Sequence, residues 1–99
     1  MSRHSIEMDF DRAMRQADQI DNLAERLKNT NRNYGGTLQN INAGWKGENA
    51  NEYIRKGYQL QSKINSTYLD LTGIASDIRR IARRVYEAEL RALELAGTD

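Results

Sequence analysis

Proline and cysteine are both absent from this 99-residue chain. A proline inside a helix costs about 3 kcal/mol, so a chain without proline can be helical over most of its length. The lack of cysteine excludes disulfides, thiolate metal sites and cysteine nucleophiles. These two absences favour a helical protein that uses none of that chemistry.

The chain also lacks a large net charge, long apolar runs and clusters of catalytic residues. The net charge is +1 at pH 7, which gives little long-range attraction for nucleic acid or an anionic membrane. No segment approaches the roughly 20 apolar residues of a transmembrane helix, and no signal-peptide core follows the N-terminus. The single histidine, His4, has no companion for a zinc site or a catalytic dyad. We therefore expect no enzymatic activity, no metal, no cofactor and no membrane insertion.

The first half of the chain carries apolar residues at alternating steps of four and three, the spacing of the inner positions of a heptad repeat. Only one member of the series, Asn31, is polar. A β-strand has a period of two and cannot produce this spacing. The pattern predicts one long amphipathic helix. The series is Ile6, Phe10, Ala13, Ala17, Ile20, Ala24, Leu27, Asn31, Tyr34, Leu38, Ile41 and Trp45.

The second half repeats the pattern with a broader apolar face. Its main series is Tyr53, Gly57, Leu60, Ile64, Thr67, Leu71, Ile74, Ile78, Ile81, Val85, Ala88, Ala92 and Leu95. A neighbouring series adds Ala50, Ile54, Tyr68, Ala75 and Ala82. Two antiparallel helices bury one seam, so we expect further apolar surface to remain for a partner.

Gly44 and Gly47 bracket the break between the two helical patterns. A glycine just past a helix suits the left-handed position that disfavours other residues. Ser5 is the expected N-cap of the first helix and Gly97 the expected C-terminal stop of the second. We predict a single domain over residues 1–99, with helix 1 at about 5–43, the turn at 44–47 and helix 2 at about 48–96.

Gly35-Gly36 interrupts the first helical pattern, and two glycines inside a helix cost about 2 kcal/mol relative to alanine. The pair is a tolerated weak spot, a place of close approach by the opposite helix or a partner, or the turn itself. The seam stays in phase from Tyr34 to Leu38, which favours one continuous helix.

The predicted fold is therefore all-α, an antiparallel two-helix hairpin that pairs into a four-helix bundle. Small residues on both helices allow close approach, and larger ones fill the space between layers. The candidate partner interface consists of Phe10, Ala17, Ile20, Leu27, Ile64, Leu71 and Ile78.

With its length, two heptad patterns and central Trp45-Lys46-Gly47, the chain resembles the WXG family of ESAT-like proteins over essentially its whole length. The resemblance implies a helical hairpin that forms homodimers or heterodimers and travels through a type VII secretion system. Some such proteins accompany larger toxins that carry a related N-terminal helical domain. Trp45 would then plug the end of the bundle, contact the export machinery such as its secretion ATPase, or do both, while Gly47 would permit the chain reversal.

The same resemblance implies an export signal in which a tyrosine precedes an acid by four residues. Tyr86 is well placed, but Leu90 stands at the fourth position, and Glu89 is the acid nearest to the same helix face. We accordingly interpret Tyr86 and Glu89 as a candidate signal that departs from the pattern. This departure favours an adaptor or co-secreted subunit over a protein exported alone.

The expected function is that of a small non-enzymatic partner in type VII secretion, exported as a dimer or acting as a targeting or chaperone partner of a larger secreted toxin. Its expected location is outside the cell, with a cytoplasmic pool before export. The alternative is a cytoplasmic coiled-coil adaptor or regulator that contacts nucleic acid through an arginine cluster, although most such clusters are solvated faces. The cluster is Arg79, Arg80, Arg83 and Arg84.

Overall fold

The computed structural model describes residues 2–97 and shows two helices joined by a short turn. Helix α1 spans Arg3–Gly44 and helix α2 spans Glu48–Leu95. No strand occurs in the described part of the chain. The prediction of an all-α helical hairpin is confirmed. The predicted domain of residues 1–99 includes residues 1, 98 and 99, which lie outside the described residues.

The N-terminus of α1 is capped by Ser2, so the expectation of Ser5 was wrong by three residues. The Ser5 backbone N–H donates to Ser2 Oγ at 3.1 Å, and the Ser2 N–H donates to Ser5 Oγ at 3.2 Å. Such reciprocal bonds satisfy two donors that the helix leaves unpaired. Ser5 therefore belongs to the cap as its third helical residue.

The turn consists of Trp45, Lys46 and Gly47, between the two helices. Gly47 has φ = +120°, whereas Gly44 has no positive φ and is the last residue of α1. The expected left-handed role at Gly44 was therefore wrong, and within the turn only Gly47 has a positive φ. Gly97 follows the end of α2 with φ = +72°, as predicted for a C-terminal stop.

The hairpin divides into two compact units, each described here by itself. The first unit combines α1 up to Asp21 with α2 from Thr72 onward. Two of its four buried apolar residues are alanines, Ala17 and Ala75, whose small side chains let the two helix segments approach closely. Its buried apolar residues are Ile6, Ala17, Ala75 and Leu93.

The second unit runs from Asn22 to Leu71 and contains the turn. Its buried apolar residues are Ala24, Leu38, Ala50 and Ile54. Leu38 is fully buried and lies over Gly57, where a Cβ would collide with Leu38 Cδ2 and lie 3.1 Å from Cδ1. Gly57 therefore provides the space that the Leu38 side chain occupies.

On α2 the series that faces α1 is the neighbouring one. Ala50, Ile54 and Ala75 are buried, whereas Leu60 and Ile74 of the main series are about half exposed. Both series are apolar, but three of the five residues of the neighbouring series are alanines, so it has the larger share of small residues that permit close packing. The main series is consequently rotated outward, with only some of its members sharing the seam.

Asn31, the polar member of the α1 seam, is bonded to Gln61 of α2 in both directions. Asn31 Nδ2 donates to the Gln61 carbonyl at 3.1 Å, and Gln61 Nε2 donates to the Asn31 carbonyl at 3.4 Å. A Cβ on Gly35 would lie 2.5 Å from Gln61 Nε2, whereas one on Gly36 would meet nothing within 4 Å. At Gly35 it is therefore the end of the Gln61 side chain that comes close, and Gly36 is open.

Alanine substitutions should separate the roles of these glycines. Gly36→Ala is expected to raise the free energy of unfolding by about 0.5–1 kcal/mol, because alanine lowers the conformational entropy of the unfolded chain and its Cβ meets no atom at this helix position. Gly57→Ala is expected to lower the free energy of unfolding by about 1 kcal/mol or more. The cost of the clash between the new Cβ and Leu38 is larger than the stabilisation from the same entropic effect. Urea unfolding followed by circular dichroism measures both changes. Equal effects of the two substitutions would contradict the close packing at Gly57.

Candidate protein-binding surface

The first unit exposes an apolar strip along α2, which we call the α2 strip. Ile81 is 52% exposed, Ile74 48% and Leu95 83%. Monomeric proteins seldom leave contiguous apolar surface uncovered unless it serves binding. The α2 strip consists of Ile74, Ile81, Val85, Ala88, Ala92 and Leu95, with the half-buried Ile78 on its edge.

The main heptad series produces this strip through helix geometry. Residues three, four and seven apart lie on one face of a helix, and Ile74, Ile81 and Ala88 follow one another at steps of seven. Within the second unit, Tyr53 and Leu60 of the same series are likewise about half exposed. The exposed apolar side chains are therefore ordered at heptad spacing, which is the pattern that another helix can match.

An open groove of about 300 Å³ runs beside the strip in the first unit. Phe10 and Tyr86 both line it and pack against each other, with ring centroids 4.6 Å apart and planes inclined by 31°. Asp9 and Glu89 contribute carboxylates to an otherwise apolar lining. The complete lining is Ile6, Asp9, Phe10, Ala13, Ile78, Ile81, Ala82, Val85, Tyr86 and Glu89.

The structure thus brings together four residues for which the sequence predicted two separate roles. Phe10 and Ile78 were candidates for a partner interface, and Tyr86 and Glu89 for an export signal, yet all four line the groove. Tyr86 is half-buried on α2 and is held by the aromatic contact with α1. Sequence spacing on α2 could not reveal this contact, since Phe10 lies at the other end of the chain.

The remaining candidate interface residues lie mainly along the contact between α1 and α2. Ala17 is fully buried within the first unit. The others are half-buried in the single chain: Ile20, Leu27, Ile64 and Leu71. Their side chains therefore already pack in the hairpin, whereas the large residues of the α2 strip face outward.

The arginine cluster is divided between two tasks. Arg79 reaches α1, with its guanidinium 2.8 Å from Asp18 Oδ1 and 2.6 Å from Asp21 Oδ2. Hydrogen bonds, first to Asp18 and then to Asp21, raise the pKa of Arg79 above its ordinary value. Arg80 pairs more loosely with Asp77 at 3.4 Å. Because Arg79 is used within the hairpin, the four arginines do not form one free basic face.

Trp45 lies half exposed at the turn of the second unit, with 49% of its surface accessible. Its ring centroid is 6.0 Å from that of Tyr53 on α2, with the planes inclined by 55°. Lys46 Nζ donates to the carbonyl of Asn42 at 3.4 Å. Trp45 therefore packs one side against the hairpin end and leaves the other side accessible.

Residues 2–97 contain no group of three or more His, Asp or Glu side chains placed to hold a metal ion. Neither helix has a stretch apolar enough and long enough to span a bilayer. No protein family, curated protein or solved structure matches the chain.

Proposed function

We propose that this chain is a small non-enzymatic hairpin that binds a helical protein through the α2 strip. The observation that carries the proposal is the ordered apolar surface of Ile74, Ile81 and Val85, each about half exposed in the single chain. Covering one such side chain stabilises a complex because each Å² of buried apolar surface contributes roughly 25 cal/mol. The regular spacing favours a helix as the covering element over an irregular loop.

We further propose that the partner belongs to a type VII secretion system. In this proposal the chain is exported as a dimer, or it escorts a larger toxin as a targeting or chaperone partner. The turn supports it: Trp45-Lys46-Gly47 lies between two long helices, with Gly47 in the reversal and Trp45 partly accessible. The groove around Tyr86 and Glu89 supplies a surface next to the α2 strip for recognition by the same machinery.

Trp45→Arg tests this role. Replacing a half-exposed tryptophan at the turn is expected to abolish export in a host with a type VII system, because an aromatic contact is replaced by a charge. Helix content should be retained, since Trp45 lies outside both helices. The measurement is the fraction of tagged chain in the culture medium, with circular dichroism of the purified variant.

Lys46→Ala is the matched control at the neighbouring turn residue, and it should leave export unchanged. Export of Trp45→Arg at the level of the unmodified chain would remove the role assigned to the turn. Absence of the unmodified chain from the medium, together with no binding to a type VII toxin or its helical domain, would overturn the proposed function as a whole.

A further inference from the structure

The groove beside the α2 strip has the size and the lining of a small-molecule site. Its volume is about 300 Å³, at the lower end of the roughly 300–1,000 Å³ that is typical of ligand pockets. All the residues that line it lie within the first unit. Ten residues line the groove, and eight of them, all except Asp9 and Glu89, are apolar or aromatic. A ligand with an apolar body would therefore be stabilised there by leaving water.

The two remaining lining residues, Asp9 and Glu89, are both acidic, and no lysine or arginine lines the groove. Asp9 forms an ion pair with Arg12 at 3.8 Å, but the two side chains are 66% and 61% exposed. Such exposed pairs contribute little free energy. Glu89 makes no ion pair within residues 2–97. The negative charge of the groove is therefore available to a ligand.

Aromatic rings accompany these carboxylates. Phe10 of α1 and Tyr86 of α2 both line the groove and contact each other. Tyr86 precedes Glu89 by three residues, so the two side chains are neighbours on α2. Carboxylates attract a cation through their charge, and aromatic ring faces attract one within about 6 Å. An anion would instead be repelled by both acidic side chains.

A metal ion does not fit the same lining. Calcium and magnesium need about six oxygen ligands, whereas residues 2–97 contain no group of three or more side chains placed to hold a metal ion. The apolar walls would also leave the water shell of such an ion without hydrogen-bond partners. The combination of apolar walls, aromatic rings and two carboxylates is complementary to a cation that carries an apolar body.

We propose that the groove binds a small organic amine in its protonated form. The ammonium group donates to the carboxylate of Glu89, and Asp9 adds a second negative charge to the same groove. The apolar body of the amine packs against lining residues such as Phe10 and Ile81. Glu89 is half-buried and Asp9 is exposed, so solvent screens the bond to Glu89 less. Glu89 therefore contributes more to the affinity than Asp9.

Tryptamine and tryptophol test the proposal, because one carries an amine where the other carries a hydroxyl. An NMR titration of the isotope-labelled full chain measures both affinities and shows which backbone amides respond. Tryptamine is expected to bind with a Kd on the order of 1 mM or below and to shift the signals of Phe10, Ile81 and Tyr86. Tryptophol should bind about tenfold more weakly, since it has no charge to pair with Glu89.

Three results of this titration would overturn the proposal. The first is no response to tryptamine at about ten times the expected Kd. The second is equal affinity for tryptamine and tryptophol, which would show that the groove does not select a cation. The third is a set of shifts centred on the second unit, which would place the bound amine elsewhere.

Glu89→Gln tests the role of the carboxylate. Glutamine keeps the size of the side chain and removes its charge, so the Kd of tryptamine should rise about tenfold while that of tryptophol changes by less than about twofold. Glu87→Gln is the matched control, because Glu87 is exposed on the same helix and does not line the groove. Its effect on tryptamine should stay within about twofold. Equal losses in both variants would show a general attraction to acidic side chains and remove the site.

Ala82→Leu tests the apolar part of the site. Ala82 is half-buried and lines the groove, so a larger side chain there reduces the space for the apolar body. The affinities for tryptamine and tryptophol should both fall at least about fivefold. Circular dichroism of each variant shows whether the helices are retained. Unchanged tryptamine binding by a helical Ala82→Leu chain would contradict the place assigned to the apolar body.

This inference does not rest on the proposed function, since the purified chain alone binds the amine. The two fail separately. A chain that binds its helical partner but not tryptamine would lose the amine site and keep the proposed function. A chain that selects tryptamine through Glu89, but is never exported and binds no type VII protein, would lose the secretion role and keep the amine site.

Discussion

Leu38→Ala is expected to lower the free energy of unfolding by about 3 kcal/mol. Leu38 is fully buried in the second unit, and its methyl groups fill the space above Gly57. Removing them loses the free energy of transferring those methyl groups out of water. It also leaves a cavity, because the two helices can move together only in part to fill it. Urea unfolding of the purified chain, followed by circular dichroism, measures the loss.

Leu23→Ala is the matched control on the same helix. Leu23 is 50% exposed, so the same substitution should cost less than about 1 kcal/mol. Both measurements belong at one protein concentration, because association of folded chains adds to apparent stability. A loss at Leu23 as large as the loss at Leu38 would contradict the packing of the second unit.

Ile81→Asp is expected to reduce partner binding by about 100-fold or more while the hairpin stays folded. A carboxylate in the centre of the α2 strip would be desolvated by any helix that covers it, and an unpaired buried charge costs several kcal/mol. In the single chain, Ile81 is 52% exposed, so aspartate there remains hydrated and helix content should change little. Binding is measured as self-association by sedimentation and as retention of the host partner on immobilised chain.

Ser76→Asp adds the same charge elsewhere on α2. Ser76 is exposed and lies outside the main heptad series, so binding should stay within about twofold of the unmodified chain. If Ile81→Asp retains full binding, the α2 strip is not the surface that the partner covers. If both variants lose binding, net charge accounts for the loss and the location of the site is wrong.

The helices and the turn could be predicted from the sequence because their signals are local. Alternating steps of three and four over many heptads specify a helix whatever surrounds it. Gly47 and Gly97 carry positive φ because only glycine adopts that region without strain. Ser2 was missed because Ser2 and Ser5 are both good caps by composition. Only the reciprocal bonds between them show which one begins the helix.

The rotation of α2 about its own axis could not be predicted from the sequence. It depends on which of two apolar faces of α2, the main series or the neighbouring series, packs against α1. Leu60 and Ile74 are the more hydrophobic candidates for the seam, and ranking by hydrophobicity places them inward. Ala50 and Ala75 are buried instead, since small side chains bring helix axes closer and gain contact along the whole interface. The stronger apolar face was left outside for the same reason.

The groove was also beyond the reach of sequence spacing. Its α1 part begins near Ile6 and its α2 part ends near Glu89, so almost the whole chain separates them. Periodicity shows which residues share a face of one helix, but it does not show which residues of the other helix lie opposite. The contact between Phe10 and Tyr86 depends on how the two helices pack against each other, and the structure shows it.

The paired amides of Asn31 and Gln61 have a consequence for misfolding. Successive heptads have similar apolar patterns, so α1 and α2 could pair with a register shifted by seven residues and still bury apolar side chains. Such a slip would place Asn31 opposite Ile54 or Tyr68, and the two amides would lose the carbonyls they now bond. Each unpaired buried amide costs roughly 1–3 kcal/mol. The paired amides therefore favour one alignment of two repetitive helices, in addition to the packing of Leu38 over Gly57. One amide oxygen, Asn31 Oδ1, is nevertheless buried without a hydrogen-bond partner.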